Sequence, residues 1–371
     1  MSRLRDAASV PFEYETAEVR EGRARLLVPA GYGRKGPGAR GPLPFYNATM
    51  TVNRDMSALA LARWPRRVGF ALDGLAGTGA WGIRMRLEAN AGDVVFSDLS
   101  ERACALIREN LARNGLTGQV LHARFMAFVT SPAFDFIDID PFGTPVPFLD
   151  DALAGARAPS GLGVTATDTA TLAGTYPDAC LRRYGARSLR CPQGREVGLR
   201  ILIAYCARVA SRRGKAVRPL VAFAAEHFLR LLLLVDSTPP TGDLPIGYLR
   251  RLEGSFHHVD RPEDDAAGPL WLGPIADPSF VRHLPTSEWT SASAGRLLDL
   301  LRQEADMPPL YVTLDDLAAR FRRSPPKVAR FIEALRAQGH RATRTHFDPR
   351  GVKTDAADEE IARVFRYVAP P

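Results

Sequence analysis

Four consecutive residues, Asp140-Pro141-Phe142-Gly143, combine side chains suited to chemistry on the exocyclic amine of a nucleobase. They follow the apolar run 134–139, which is typical of a buried parallel strand. Such an amine is a poor nucleophile, so transfer to it depends on position and electrostatics. Asp140 could accept its hydrogen bonds and take its proton, Pro141 would aim the backbone, Phe142 would stack on the base and Gly143 would leave room. The alternative is an ordinary turn with Phe142 in the core.

A glycine-rich loop predicts a nucleotide-like cofactor. Residues 77–82 match G-x-G-x-x-G after a predicted strand, and Asp98 lies 21 residues beyond Gly77, where an acid binds a ribose diol. NAD and S-adenosylmethionine both fit this pattern. Asp73, just before the loop, would attract the ammonium and sulfonium of S-adenosylmethionine and would repel a pyrophosphate. The pattern therefore favours a methyltransferase, with an NAD-dependent oxidoreductase as the alternative.

Hydrophobic periodicity and glycine punctuation predict the elements that position these residues. Strands are predicted at residues 68–72, 93–97, 119–122, 134–139, 162–166 and 218–224. Helices are predicted at residues 50–64, 82–89, 102–114 and 194–213. This alternation predicts an α/β fold with a doubly wound parallel sheet. The carboxyl ends of its strands would bring Asp73, Asp98 and Asp140 to one edge.

The two ends of the chain differ from this central part. The first residues, up to about residue 45, are rich in turn formers, and the basic segment 31–38 is expected to be mobile without a ligand. Residues 238–242 predict a break between domains spanning 1–237 and 238–371. In the second domain, helices at 297–305, 314–321 and 326–338 and a strand at 341–347 suggest a winged-helix-like module.

Composition predicts a protein that binds a polyanion. The chain has 371 residues, 46% hydrophobic and 24% charged, as in ordinary globular proteins, with a net charge of +8. Nucleic acid is the favoured partner, and a generic arginine-rich surface is the alternative. Two basic clusters would meet phosphates: Arg182, Arg183, Arg187 and Arg190, then Arg320, Arg322, Arg323, Lys327, Arg330, Arg336 and Arg341.

Cysteine spacing and hydropathy predict a cytoplasmic protein. Cys104, Cys180, Cys191 and Cys206 form no C-x-x-C pair, which argues against a zinc ribbon and favours free thiols over a Cys180–Cys191 bridge. The sequence begins without the apolar core of a signal peptide. The longest apolar stretch, 228–235, is interrupted by an arginine and is too short to cross a membrane.

Five ordered segments resemble the tRNA guanosine N2-dimethyltransferases, which modify the base at position 26 of tRNA. The segments are Phe45-Tyr46-Asn47 with Met50 and Asn53-Arg54-Asp55, Asp140 to Gly143 with Pro145 and Pro147 to Asp150, Ala166 to Ala170 with Gly174, Gly268 to Gly273, and Arg344 to Pro349 with Gly351 to Asp355. The resemblance covers nearly the whole chain. It implies a Rossmann-like class I methyltransferase sheet, a smaller α+β C-terminal domain that grips tRNA, and methylation of guanosine N2, first once and then twice.

The resemblance also implies roles for single residues. Cofactor contacts are expected from Arg54, which would meet the cofactor carboxylate, and from Asp73, Gly74, Gly77, Gly79, Asp98, Leu99, His122, Ala123 and Asp138. Substrate contacts are expected from Phe45, Asn47, Phe142, Thr167 and Asp168, with Phe45 as a second stacking face. Asp138 faces the same side of its strand as Asp140, so it either lines the pocket or is a buried structural acid. No metal and no obligate protein partner are expected.

Three departures from the family pattern affect these expectations. Ala48 and Thr49 replace a proline and an arginine. His122 stands where an acid beside the adenine is common, so a backbone contact from Ala123 would have to serve. The segment 256–260 lacks the cysteine pairs of some members, and its two histidines and one aspartate are expected to form a solvated loop. A catalytically inactive RNA-binding relative is the remaining alternative.

Overall fold

The computed structural model describes residues 12–31, 41–125, 133–238, 242–263 and 265–370. Of the segment 31–38, expected to be mobile, only Gly31 lies within these ranges, and the predicted domain break at 238–242 is described only at its two ends. Among the described residues, every helix is too short or too polar to span a membrane. The four cysteines are free thiols, as predicted.

The described chain begins with an antiparallel hairpin of β1 (Thr16–Glu21) and β2 (Ala24–Pro29). The prediction of a loop-rich beginning is wrong for these residues. Their alternation of apolar and polar side chains is short and lies among turn formers, so it did not indicate strands. Leu26 faces the core. The Asn110 side chain accepts a hydrogen bond from the Leu27 N–H at 2.6 Å and donates one to the Leu27 carbonyl at 3.0 Å, which attaches the hairpin to a later helix.

A seven-stranded sheet forms the centre of the molecule. Its strands are β3 (Phe70–Asp73), β4 (Asp93–Asp98), β5 (Gln119–His122), β6 (Phe134–Ile139), β7 (Ala156–Ala166), β8 (Ala216–Ala225) and β9 (Phe228–Asp236). Their spatial order is β5-β4-β3-β6-β7-β9-β8. The first five strands are parallel, so the carboxyl ends of β3, β4 and β6 meet at one edge, as the sequence predicts.

The sheet is mixed, which corrects the prediction of a wholly parallel one. β9 pairs antiparallel with both β7 and β8. β9 occupies the apolar stretch that the sequence analysis considered only as a membrane segment. It follows β8 through the two-residue turn of Glu226 and His227, in which Glu226 has a φ of +43°. So short a connection can only form a hairpin, since a parallel pair needs a long crossover.

Helices cover both faces of the sheet. They are α1 (Thr51–Ala62), α2 (Ala80–Glu88), α3 (Glu101–Arg113), α4 (Val146–Gly155), α5 (Thr169–Leu172), α6 (Pro177–Tyr184) and α7 (Gly194–Arg212), with a 3-10 turn at Ala48–Met50. The predictions of α1, α2, α3 and α7 are confirmed to within two residues at each end. The short helices α4 to α6 were not predicted.

The C-terminal region contains two small sheets and several helices. Its elements are β10 (Ile246–Leu252), β11 (Ser255–Val259), β12 (Ala266–Trp271), α8 (Pro278–Arg282), α9 (Ala292–Glu304), β13 (Val312–Thr313), α10 (Leu314–Phe321), α11 (Val328–Ala337), β14 (Ala342–Arg344), β15 (Gly351–Thr354) and α12 (Asp358–Val368). The sheet orders are β11-β10-β12 and β13-β15-β14. From α9 to β15 the elements follow each other as helix, strand, two helices and hairpin, which agrees with a winged-helix-like module.

Buried polar contacts join the C-terminal region to the central sheet. Glu196 of α7 accepts hydrogen bonds on one oxygen from Lys353 Nζ at 2.8 Å and from the Leu310 N–H at 2.8 Å. Asp55 of α1 accepts one from the Ser291 N–H at 2.9 Å. The apolar core is also continuous across this contact. The domain limits at residue 237 stay a prediction.

Candidate active site

Two carboxylates hold the glycine-rich loop at the carboxyl edge of the sheet. Asp73 ends β3, and its Oδ2 accepts the Gly82 N–H at 2.9 Å. Asp98 ends β4 and accepts the N–H groups of Gly77 and Ser100, each at 2.8 Å. Burial and neighbouring carboxylates raise the pKa of Asp73 to about 8, and burial raises the pKa of Asp98. A cationic ligand here would relieve this accumulation of negative charge.

The loop itself has no space for side chains. Gly77 and Gly79 have φ values of +55° and +77°, which favour glycine. A Cβ on Gly77 would lie 2.8 Å from the Phe45 carbonyl oxygen. A Cβ on Gly74 would lie 2.6 Å from the Phe125 ring. The bare backbone lets a ligand approach closely.

Asp138 forms a buried ion pair. It lies beside Asp73 in the register of β3 and β6. Arg230 of β9 donates to its Oδ1 at 2.5 Å and to its Oδ2 at 3.3 Å, and also to Ser57 and Thr165 at 3.1 and 3.0 Å. Of the two alternatives left open by the sequence, this pair favours the structural one. A contact between Asp138 and the cofactor stays a prediction.

Asp140 stands half-buried directly after β6. Burial and the negative charge of Asp138 raise the pKa of Asp140 to about 6, against the opposing effects of Arg230, Arg54 and a hydrogen bond from Thr165. A carboxylate with this pKa is ionised at neutral pH and is more basic than an ordinary aspartate. Such a group suits proton removal.

The turn after Asp140 is fixed by two hydrogen bonds. The Gly143 N–H donates to Thr167 Oγ1 at 2.7 Å, and the Thr167 N–H donates to the Gly143 carbonyl at 2.9 Å. Gly143 has a φ of +82°. Pro141 is buried beneath the turn, whereas Phe142 is 43% exposed. The turn therefore presents Phe142 outwards, and Thr167 holds it in place.

Phe142 and Phe45 form one aromatic pair at the mouth of the site. Their ring centroids are 4.5 Å apart and the planes meet at 73°, an edge-to-face arrangement. The sequence predicted both rings as stacking faces, and the structure brings them together. A base inserted between two parallel rings would need about 7 Å between them, twice a stacking distance. In this conformation a base can stack on only one of the two rings.

A tyrosine behind the turn links it to helix α6. The Thr144 hydroxyl donates to the Tyr184 hydroxyl at 2.8 Å, and Tyr184 donates to Asp168 Oδ1 at 2.8 Å. Arg183 donates to the other oxygen of Asp168 at 3.1 Å. Burial raises the pKa of both Asp168 and Tyr184. Asp168, predicted to contact the substrate, is thus engaged in holding α6 against the turn.

Arg54 is bound by a glutamate of the N-terminal hairpin. Glu21 accepts from Arg54 Nε at 2.5 Å and from Nη2 at 2.6 Å, and Nη2 also reaches the Asn47 carbonyl at 2.9 Å. Arg84, which has no exposed surface, donates to Glu21 at 2.8 Å. Burial alone would raise the pKa of Glu21, but Arg54 and Arg84 hold it at about 2. A contact between Arg54 and the cofactor carboxylate stays a prediction, and Nη1 is the nitrogen that would donate to that carboxylate.

Of the remaining predicted residues, Leu99 and His122 are exposed, Ala123 is partly buried and Asn47 is buried. Leu99 is 59% exposed, and its carbonyl accepts a hydrogen bond from His122 Nε2 at 3.0 Å. The Ala123 N–H donates to the Asp98 carbonyl at 3.1 Å, so this amide is already used within the backbone. Asn47 caps the turn before α1, since its Oδ1 accepts the Thr49 N–H at 2.9 Å.

Comparison with known proteins identifies the family. The profile described as N2,N2-dimethylguanosine tRNA methyltransferase matches residues 40–246 and 253–366. The chain belongs to this family. The resemblance inferred from the sequence is confirmed, and with it the class I methyltransferase fold, with which the order of strands in the central sheet agrees.

Individual relatives of this family match along nearly their whole length. A tRNA (guanine(26)-N(2))-dimethyltransferase of Thermococcus kodakarensis is 39% identical over 95% of this chain and 100% of its own. The enzyme of the same name from Methanothermobacter thermautotrophicus is 35% identical over 90% and 94%. The structure of Trm1 from Pyrococcus horikoshii in complex with S-adenosyl-L-methionine superimposes with a TM-score of 0.84, at 33% identity, over 96% of this chain and 100% of that one.

Several residues of the site escaped the sequence analysis. Tyr184 lies in a short helix that was not predicted, and Glu21 lies in the hairpin that was taken for loop. Arg230 was noted only as a charge that interrupts an apolar stretch. The position of Arg230 within an apolar strand could have indicated its role, because a buried arginine needs a buried acid as its partner.

Proposed function

We propose that this chain transfers methyl groups from S-adenosylmethionine to the exocyclic N2 of guanosine 26 in tRNA, first one and then a second. The observation that carries the proposal is Asp140, an acid with a pKa raised to about 6 that stands beside the exposed ring of Phe142. The names of the family and of its relatives supply the substrate and the position.

The residues around the glycine-rich loop fit the cofactor. Gly77 and Gly79 present bare backbone with positive φ values, so a ligand could approach the loop closely. The carboxylate of Asp98 would accept the ribose hydroxyls, and Asp73 would face the positive charges of the methionine part. When bound, the cofactor supplies an electrophilic methyl group on a sulfonium. Arg54 would bind its carboxylate through Nη1.

Asp140 and the aromatic pair would handle the guanine. Asp140 is ionised at neutral pH, so it can accept hydrogen bonds from the N2 amine and remove a proton as the new bond forms. The base would stack on the exposed ring of Phe142, which Phe45 supports from the side. The bonds from Thr167 to Gly143 would keep this arrangement fixed during transfer.

The basic clusters would position the tRNA. Arg322, Lys327 and Arg330 are exposed and form no ion pair among the described residues, so they are free to contact phosphates. Arg320 and Arg341 are paired with Glu253 and Asp355, which reduces their contribution. We infer a methyltransferase domain up to residue 237, a tRNA-binding region after it, action in the cytoplasm and no obligate protein partner.

The test is methylation of a defined transcript. Unmodified tRNA is incubated with labelled cofactor and digested to nucleosides, and a transcript with adenosine at position 26 serves as the control. We expect N2-methylguanosine early and N2,N2-dimethylguanosine later, and neither with the control. No N2-methylated guanosine would refute the activity, whereas equal product from the control would refute only the position.

A further inference from the structure

A cavity lies at the amino edge of the central sheet, opposite the edge that carries the active-site carboxylates. Its volume is about 460 Å³. Its lining includes Trp64, Arg66, Arg67, Asp135, Arg157 and Ser160. Asp135 is the second residue of β6 and Asp140 follows the last, so the two ends lie roughly 17 Å apart at about 3.3 Å per residue. The cavity is therefore separate from the site described above.

The charge of this cavity is positive. Asp135 already accepts the N–H groups of Gly69 and Phe70, each at 2.9 Å, and is paired with Arg157. Three guanidinium groups face one carboxylate, which leaves two positive charges in excess. Arg66 and Arg67 are exposed and form no ion pair within the described part of the chain. Two such unpaired cations in one concave site attract an anion.

A buried hydroxyl in the wall also lacks a partner. Ser160 is 3% exposed, and its Oγ makes no hydrogen bond to any described residue. Leaving a buried hydroxyl without a hydrogen bond is unfavourable, so such groups usually have a partner in the functional state. Trp64 and Pro159 supply an apolar part of the lining.

We propose that this cavity binds a phosphate group. A guanidinium group can donate two parallel hydrogen bonds to two oxygens of a phosphate, and a hydroxyl can donate to a third oxygen. Arg66 and Arg67 would bind the phosphate, Arg157 would add positive charge, and Ser160 would donate its hydroxyl after a rotation of χ1. The phosphate comes either from the backbone of bound tRNA or from a free phosphate compound. The first source rests on the proposed function; the second does not.

The experiment measures both sources with the same variants. Arg66→Gln and Arg67→Gln each remove one charge from the cavity, and Arg63→Gln removes one from the same segment outside the lining. All three side chains are exposed, so the variants are expected to fold. Binding of inorganic phosphate is measured by calorimetry, and the dissociation constant of tRNA is measured as a function of salt concentration.

Each outcome is decisive. A tRNA backbone phosphate predicts that the slope of log Kd against log salt falls by about 0.9 in both cavity variants relative to Arg63→Gln. A free phosphate compound predicts that phosphate binds to the wild type and to Arg63→Gln but not to the cavity variants, with equal tRNA slopes. No phosphate binding together with equal slopes overturns the proposal. The phosphate titration uses neither tRNA nor cofactor, so it is independent of the methylation assay.

Discussion

Replacing Tyr184 by phenylalanine tests whether the turn that carries Phe142 is positioned from behind. The substitution keeps the ring in the core and removes only the hydroxyl. That hydroxyl accepts from Thr144 and donates to Asp168, each at 2.8 Å. Since Thr144 follows Gly143 directly, the lost bonds would free the turn without touching cofactor or tRNA.

The magnitude follows from the two bonds. A bond between neutral groups contributes about 1 kcal/mol, and a bond to the buried carboxylate of Asp168 contributes about 2 kcal/mol. If only the Thr144 bond fixes the turn, kcat falls about fivefold; if both do, the loss reaches about 150-fold, at 1.36 kcal/mol for each factor of ten. The KM for tRNA and the Kd for the cofactor should stay unchanged.

The assay is single-turnover methylation with separate binding measurements. Tyr205→Phe is the matched control, because its ring packs on Tyr184 at 5.6 Å while its hydroxyl takes no part in the hydrogen bonds that join Thr144, Tyr184 and Asp168. A purely structural role of Tyr184 would lower the thermal stability and leave kcat intact. A kcat for Tyr184→Phe equal to that for Tyr205→Phe would refute the reasoning.

Three further predictions concern the charges of the site. Asp140→Asn should lower kcat about 10²–10⁴-fold and leave the affinity for tRNA unchanged. The kcat of the wild type should fall as the pH decreases below about 6, because Asp140 then takes up a proton. A kcat that does not change with pH in this range would contradict the role of Asp140 as a base. Cofactor affinity should rise with pH up to about 8, because only ionised Asp73 attracts the ammonium, and calorimetry in two buffers should detect proton release on binding. Glu21→Gln should lower the free energy of unfolding by about 3–5 kcal/mol, because it leaves Arg54 without its partner charge. The control Glu18→Gln, on the same strand, should lower it by less than about 1 kcal/mol. Equal denaturation midpoints for the two variants would contradict this prediction.

The sequence predicted well which residues lie at the carboxyl edge of the sheet, because the signals for them are local. The apolar run before Asp140 and the glycines after Asp73 determine strands and turns within a few residues. The positions of Asp73, Asp98 and Asp140 at one edge then follow from parallel topology alone. The mutual contact of Phe45 and Phe142 did not follow, because it depends on how a distant segment packs over the loop.

The roles of several polar residues could not be predicted, because they depend on partners far away in the chain. Thr167 and Asp168 fit the family pattern of a substrate-binding segment, yet their side chains hold the turn and α6. Arg54 was assigned to the cofactor, and its main partner, Glu21, lies in a hairpin with a weak pattern. Hydrogen-bond partners of buried charges are a property of the assembled core, which periodicity does not describe.

The bond between Asp55 and the Ser291 amide has a consequence for how the protein is made. The two residues are 236 positions apart, and Glu196 and Lys353 are 157 apart. During translation, α1 with Asp55 therefore leaves the ribosome long before Ser291, whose N–H donates to Asp55, has been synthesised. Contacts at such separations close late and at an entropic cost. The contacts that join the C-terminal region to the central sheet should therefore form only when synthesis is almost complete, so the nascent first half is the stage at which a chaperone would be needed.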